Sequence, residues 1–374
     1  MPTLLDVIAV LDQLYDPSWA DDWDAVGTVA GDPEAEVRTI LFAVDPVQAV
    51  ADEAVLVGAD LVVTHHPLYL KGTTSVAATD PKGRVIHTLL SNGIALHTCH
   101  TNADSPPLGV SESMAEAIGL RDIRPLDDDL DAGPDKWVVF APVDVADEVA
   151  TAMHDAGAGH IGDYDRAQFQ SRGTGSFRPL DGATPAIGEV GAVEYVDEIR
   201  IEMVAPRRLR DQVRRAMVRA HPYEEVAYDL IETAASPSGR GSGRIGVLDE
   251  PMSLWAFAEN VKASLPHHSG ATRIAGELDR EVRTVALCGG SGDFLLARAD
   301  AAGADVYVTS DLRHHPVSEH RERPGACAVV DVPHWAAEWT WLPVAAREVR
   351  ARLGGTVETH VSTIVTDPWS ATLS

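Results

Sequence analysis

The chain has 374 residues, 45% of them apolar, and its 57 acidic and 30 basic residues leave a net charge of −27. At roughly 150 residues per domain, this length suggests two or three domains, and the apolar fraction excludes global disorder. The acidic excess is spread along the chain and argues against nucleic acid and anionic membranes as partners.

Residues 1–20 carry no basic n-region, and Asp6 and Asp12 interrupt the apolar pattern. They read as an amphipathic helix, not a signal peptide. No window approaches about 18 uninterrupted apolar residues, so no membrane span is expected and a cytoplasmic protein is. Residues 38–45 read as a buried strand, 47–57 as a helix, and 61–64 as a second buried strand cut short by His65-His66-Pro67. A helix over 83–91, a strand over 94–97 and a helix over 110–118 follow. Short apolar strands separated by helices are the pattern of a parallel sheet buried on both faces.

The acidic, Gly- and Pro-containing stretch 127–136 reads as a linker. Beyond it come a strand (137–141), a helix (145–156) with Asp144 as its N-cap, a hairpin (189–194 with 198–204), a helix (206–220) and a strand (226–231). That order is the ferredoxin-like split βαβ arrangement. A second breaker, 236–243, precedes a return to strand-helix alternation: strands at 284–287, 306–309 and 326–330, a helix near 294–301 and a long helix after His334. Pro343 should end or kink that helix. The fold class is therefore α/β: one discontinuous α/β domain (1–126 and 244–374) with a ferredoxin-like α+β domain (127–243) inserted. The three cysteines, Cys99, Cys288 and Cys327, form no CxxC pair and read as buried hydrophobes.

Three motifs carry metal-binding chemistry. Thr64-His65-His66-Pro67 ends a buried strand, where open α/β sheets place their sites. His97-Thr-Cys-His100-Thr101-Asn102-Ala-Asp104 follows another strand and offers imidazoles, an amide and a carboxylate. Asp331-Val-Pro-His334-Trp-Ala-Ala-Glu338 follows a third, with His334 and Glu338 on one helical face. Singly, each is compatible with surface histidines, a polar turn or an i,i+4 pair. Together, His65, His66, Asp104, His334 and Glu338 supply three nitrogens and two carboxylates. That exceeds what one tetrahedral ion needs and suits two ions if a carboxylate bridges. His100 and His315 remain as candidate proton carriers. Gly289-Gly290-Ser291-Gly292 reads as a tight turn or a phosphate cradle, Asp311 as a helix cap, and His221-Pro-Tyr-Glu-Glu225 as a strand-entry turn.

The order of these motifs resembles the Nif-three-like dinuclear metal-centre family, also known as GTP cyclohydrolase 1 type 2 homologs. The resemblance runs through Trp23-Asp24-Ala25-Val26-Gly27, Ala43-Val-Asp45, Val63-Thr-His-His-Pro67 and His100-Thr-Asn-Ala-Asp104. It continues through Cys288-Gly-Gly-Ser-Gly292, Thr309-Ser-Asp311 to His315, and His334 with Glu338. Ala25, Pro333 and His314 stand where the family usually has Asn, Gly and Tyr, and Asp165-Arg-Ala167 lacks a Cys found in many relatives. The resemblance implies the same five residues as ligands of two divalent ions (Zn, Fe, Mn, Co or Ni). It also implies a PII/CutA-like insert and a toroid-like homohexamer. The implied function is a metal-dependent hydrolase acting on a small anionic, nucleotide-like or heterocyclic substrate, with GTP ring opening as its specific form. The alternative is a non-enzymatic metal store, delivery factor or interaction scaffold.

Overall fold

Apolar residues at positions 4, 7, 11 and 14 give the first helix, Leu4–Leu14, one buried stripe. A capping box starts it: the Thr3 hydroxyl accepts from the Asp6 amide (3.2 Å), and the Asp6 carboxylate accepts from the Thr3 amide (2.8 Å). This is a computed structural model describing residues 1–131, 133–267 and 270–373. The chain divides into two units, residues 1–129 with 239–374, and residues 130–238.

The first unit holds two sheets. In one, the order is Gly27–Ala30, Ala95–Thr98, Leu61–Thr64, Thr39–Ala43 and Glu358–Val361. The first pairing is antiparallel and the others parallel. In the second, the order is Arg273–Ala275, Ala328–Asp331, Val306–Ser310, Glu281–Ser291, Ser236–Ser253 and Arg121–Asp131. Its Ala328–Asp331, Val306–Ser310 and Glu281–Ser291 strands are mutually parallel. Inner strands such as Leu61–Thr64 and Ala328–Asp331 are buried at every position, as parallel strands covered on both faces must be.

One apolar cluster joins the facing sides of the two sheets through the helices between them. It includes Leu11, Phe42, Val63, Phe257, Val308, Val330 and Trp341. Val50, Ala54, Val85 and Leu89 of the helices Gln48–Val57 and Pro81–Ser91 cover the outer face of the first sheet. Leu296, Ala299 and Leu312 cover that of the second. Burial of this kind stabilises by roughly 25 cal/mol per Å² of apolar surface. The C-terminal ends of the parallel strands carry the loops that build the site.

The second unit is an antiparallel sheet, ordered Phe169–Phe177, Glu194–Ala205, Asp135–Pro142 and Tyr228–Glu232. The helices Ala146–Asp155 and Arg210–Ala220 bring Val149, Met153, Val213 and Met217 into one core with Trp137 and Ile201.

Several local expectations change. The acidic stretch 127–136 is not a free linker: it continues the strand Arg121–Asp131 and enters Asp135–Pro142, with Ala132 outside the described residues. The reason is ion pairing, since the buried Asp135 carboxylate accepts two bonds from Arg210 (2.7 and 2.8 Å). The breaker at 236–243 lies within the strand Ser236–Ser253. There the fully buried Arg244 guanidinium donates to the carbonyls of Gly241 and Gly243 (both 2.9 Å) and satisfies backbone that a loop would expose.

The hairpin partner of Glu194–Ala205 is Phe169–Phe177, not residues 189–194, and Val145 rather than Asp144 occupies the N-cap position of the helix Ala146–Asp155, without a side-chain bond. The long helix after His334 is two, His334–Trp339 and Trp341–Arg352, broken at Thr340; Pro343 sits in the first turn of the second, where its missing N–H costs nothing. All three cysteines are buried and unpaired.

Candidate metal centre

His65 and His66 leave the strand Leu61–Thr64 with their amides still bonded to the neighbouring backbone, His65 to the Ala43 carbonyl and His66 to that of Val44. This anchoring fixes both rings. His65 is 1% exposed, and its Nδ1 donates to the Cys99 carbonyl (2.9 Å), which can only accept. Nε2 is therefore the bare nitrogen, 3.3 Å from Oε1 of Glu338 and 3.6 Å from Oδ1 of Asp104. His66 donates through Nδ1 to Asp45 (2.7 Å) and turns Nε2 to Oε2 of Glu338 (3.0 Å). The Thr366 hydroxyl also donates to Asp45.

From the second sheet, the helix His334–Trp339 presents His334 and Glu338 together. The Nδ1 of His334 donates to Asp311 (2.6 Å), and its Nε2 lies 2.7 Å from Oε1 of Glu338. Glu338 thus faces three imidazoles at once. Asp104 arrives on the short helix Thr101–Asp104.

Three buried atoms in this cluster, His65 Nε2, Asp104 Oδ1 and Glu338 Oε2, make no hydrogen bond and have only the imidazole–carboxylate approaches at 3.0–3.6 Å. Orphaned buried polar atoms are rare, and here they converge. Ligand atoms of His66, His334 and Glu338 lie within 4.8 Å of one another, as do those of His65, His66 and His100. Each of the three predicted histidine ligands has its Nδ1 held by a carboxylate or carbonyl, the arrangement that aims Nε2 at a cation. The residues present fit divalent metal.

Charge balance agrees. Burial disfavours charge on His66, but Glu338 and the bond to Asp45 outweigh it and hold the imidazole up to about 11. His334 is likewise opposed by burial and held by Glu338 and Asp311 up to about 10. Burial pushes Asp104 up to about 7 against the pull of His65. Burial of Glu338 is overcome by the imidazoles, which keep it well below the usual carboxylate range. Protons occupy positions that a cation would take over.

His100 stands beside the cluster, its ring 5.2 Å from His65 and 5.6 Å from His66. Its Nδ1 donates to Asp24 (2.8 Å), which also accepts from the Thr101 amide and hydroxyl. These bonds outweigh burial and hold the Asp24 carboxyl well below its ordinary value. His100 borders a cavity of about 350 Å³ together with Asp104, Ser291, Phe294, His334 and Glu338. A larger cavity of about 800 Å³ meets His66 and His334 from the side of Asp45, Arg273 and Asp311.

His315 is not brought to the site. It is exposed on the helix His314–Arg321, against the His314 ring at 5.2 Å. Asp311 does not cap that helix, which starts at Arg313; it holds His334 instead. The glycine run is the end of the strand Glu281–Ser291 rather than a free phosphate loop. Gly290, at φ +75°, lies so close to Glu338 that a Cβ would sit 2.7 Å from Oε1. In a further grouping of Asp300, His320 and Cys327, His320 Nε2 donates to the Cys327 carbonyl (3.0 Å) and Asp300 accepts from the Cys327 amide (2.9 Å).

Asp24, Asp45 and Asp311 appear in the sequence motifs, yet there Asp24 and Asp45 have no role and Asp311 only that of a helix cap. Their only signal is position: each is an acid at or near a strand end, one motif away from the imidazole it holds.

Known proteins share this arrangement of chain. The profile of Duf34/NIF3 (NGG1p interacting factor 3) matches residues 2–368. A Mycobacterium tuberculosis protein named GTP cyclohydrolase 1 type 2 homolog is 47% identical over 372 residues, 98% of this chain and 96% of that protein. Its Bacillus subtilis namesake is 37% identical, over 88% of this chain and 87% of its own length. The crystal structure of a Bacillus cereus protein related to NIF3 superposes with a TM-score of 0.77 at 36% identity, covering 99% of both chains. Sequence, fold and the shared order of motifs lead to one conclusion: the chain belongs to the Duf34/NIF3 family.

Proposed function

We propose that His65, His66, Asp104, His334 and Glu338 hold two divalent metal ions, with Glu338 shared between them, and that the protein is a metal-dependent hydrolase. The observation that supports this most strongly is the convergence of three buried ligand atoms that make no hydrogen bond, beside an open cavity. A closed shell would suit storage or delivery; a cavity at the cluster favours catalysis over the scaffold reading.

The protein's own groups have distinct tasks. Asp45 and Asp311 fix the tautomers of His66 and His334, and the Cys99 carbonyl does so for His65. Asp24 locks Nδ1 of His100 and leaves its Nε2 to accept or return a proton on the cavity side. His315, exposed and outside the lining of both cavities at the cluster, has no such task. The buried Trp341 packs against His65 (ring centroids 5.6 Å apart), and Trp23 stands edge-on to His100 (5.9 Å). Divalent ions bound there would supply Lewis acidity and make water acidic enough to act near neutral pH. A site of this charge suits an anionic, nucleotide-like or heterocyclic substrate, and the names of the relatives point to GTP as the first to test.

The βαββαβ path of the second unit, folded into one antiparallel sheet, supports reading residues 127–243 as an inserted ferredoxin-like, PII/CutA-like domain. Among the described residues no helix is long and apolar enough to cross a membrane. A cytoplasmic homohexamer without nucleic-acid or membrane partners completes the proposal.

The test joins metal analysis to turnover. Purified protein should carry two ions per chain and consume GTP or a related heterocycle, and His65→Ala should lose both. Two ions per chain with no turnover across phosphorylated and heterocyclic compounds would leave the metal reading standing and refute the hydrolase.

A further inference from the structure

The second unit has a cavity of its own, about 440 Å³, bordered by Phe140, Phe177, Ile187, Glu198, Tyr223 and Glu224. That is the size of a small-molecule site, with mostly apolar walls and a few polar groups facing inward. Its central polar group is Glu198, on the strand Glu194–Ala205 and only 9% exposed. The Tyr223 hydroxyl donates to its Oε1 (3.1 Å). The carboxylate lies over Gly175, where a Cβ would come within 2.0 Å of Oε2. Glycine at that position keeps the space beside the carboxylate clear.

A buried carboxylate normally has a cation beside it. Among the described residues no lysine or arginine pairs with Glu198: Arg200, two residues along the same strand, pairs with Glu202 instead. His221 is close but cannot serve. Its Nε2 donates to the Phe140 carbonyl (2.9 Å), and its Nδ1 accepts from the Tyr223 amide (3.2 Å). Those two bonds require the neutral ring, and burial lowers its pKa further. Glu224 and Glu225 add negative charge at the cavity, against one arginine, Arg178, which is exposed. Glu224 is also ordered, accepting from the Thr184 amide (2.9 Å), which ties the 183–187 wall in place.

We infer that this cavity binds a small organic cation, an amidinium, guanidinium or primary ammonium group on an apolar body, with its charged end on Glu198. The apolar body lies between Phe140, Phe177 and Ile187, and the Tyr223 hydroxyl keeps the carboxylate turned to the cation. The recognition chemistry is a charge-assisted hydrogen bond in a desolvated pocket, supported by aromatic faces. The site is independent of the metal centre and of any activity there.

Calorimetric titration of the full-length protein with benzamidine, benzyl alcohol and benzoate separates charge from shape. Benzamidine should bind saturably, with benzyl alcohol weaker and benzoate not bound. Glu198→Gln keeps the shape and removes the charge, and should weaken benzamidine at least about tenfold. Gly175→Ala should weaken it as well, by pushing the carboxylate from its place, and thermal melts identify any variant that fails to fold. Tyr223→Phe should weaken it a few-fold. Benzamidine that does not bind, binds no better than benzoate, or binds folded Glu198→Gln as tightly as the parent would overturn the inference.

Discussion

Replacing Gly290 with Ala tests the geometry of the centre at one atom. Gly290 has φ +75°, and the added Cβ would sit 2.7 Å from Oε1 of Glu338 and 3.5 Å from Nε2 of His334. Two effects follow, and they can be separated. The left-handed backbone costs an Ala residue about 1–2 kcal/mol wherever it occurs. The contact with Glu338 is local to the centre, and the carboxylate has little room to yield, being 3% exposed and hemmed by His334 at 2.7 Å and His65 at 3.3 Å. Gly303 provides the control, with φ +74° and nothing within 4 Å of the place a methyl group would take. Gly303→Ala should therefore lower stability by the backbone strain alone and leave metal affinity unchanged. Gly290→Ala should show that strain and also lose at least tenfold in affinity, about 1.4 kcal/mol. Competition with a chromophoric chelator measures the affinity, and urea unfolding of the metal-stripped proteins measures the strain. If both variants bind zinc or cobalt as tightly as the parent, Glu338 does not hold the ions in the way described.

Three further expectations rest on single contacts. Asp45→Asn leaves the size of the side chain but weakens its hold on His66, and metal affinity should fall about 10- to 100-fold with little change in the melting of the metal-free protein; an unchanged affinity would deny Asp45 its orienting task. Arg244→Met removes five donated bonds, to Glu112 and the carbonyls of Ser105, Pro106, Gly241 and Gly243, and should destabilise by about 3–5 kcal/mol in urea unfolding. Burial lowers His97 from 6.5 to about 4, so it stays neutral in the folded state while the unfolded chain takes up a proton below pH 6.5. Stability should thus decline as pH falls from 6.5 to about 4, by at most about 3 kcal/mol from this group. His97→Leu should lack that part of the decline, and an identical pH profile for both proteins would contradict it.

The five residues proposed as metal ligands are legible as a group because they stand out against their surroundings. His65-His66, Asp104 and His334 with Glu338 each follow a run of buried strand residues, and the folded chain brings all five to one place. The residues that aim them were not legible. Asp24, Asp45 and Asp311 are three among 57 acidic residues, and each earns its role from a partner 76, 21 or 23 positions away. His315 shows the converse: a histidine in a promising motif that the helix His314–Arg321 turns to solvent. The misplaced linkers have a similar origin. The acidic stretch looks like a loop because the neutralising partner of Asp135, Arg210, lies 75 positions away, and the glycine-rich one because the buried Arg244 that holds residues 241 and 243 is itself fixed by Glu112, 132 positions away. Composition reports what a segment contains, and pairing decides what it becomes.

The excursion of residues 130–238 leaves and rejoins the first unit on neighbouring strands, Arg121–Asp131 and Ser236–Ser253. The metal-ligand residues lie on both sides of that departure, at 65, 66 and 104 before it and at 334 and 338 after it. Ions held as proposed would be rivets between two lengths of chain that the backbone joins only through a detour. A single peptide-bond cut in the detour would therefore yield a two-piece protein whose pieces remain fastened by their common core and, in the metal-loaded form proposed, by the ions as well.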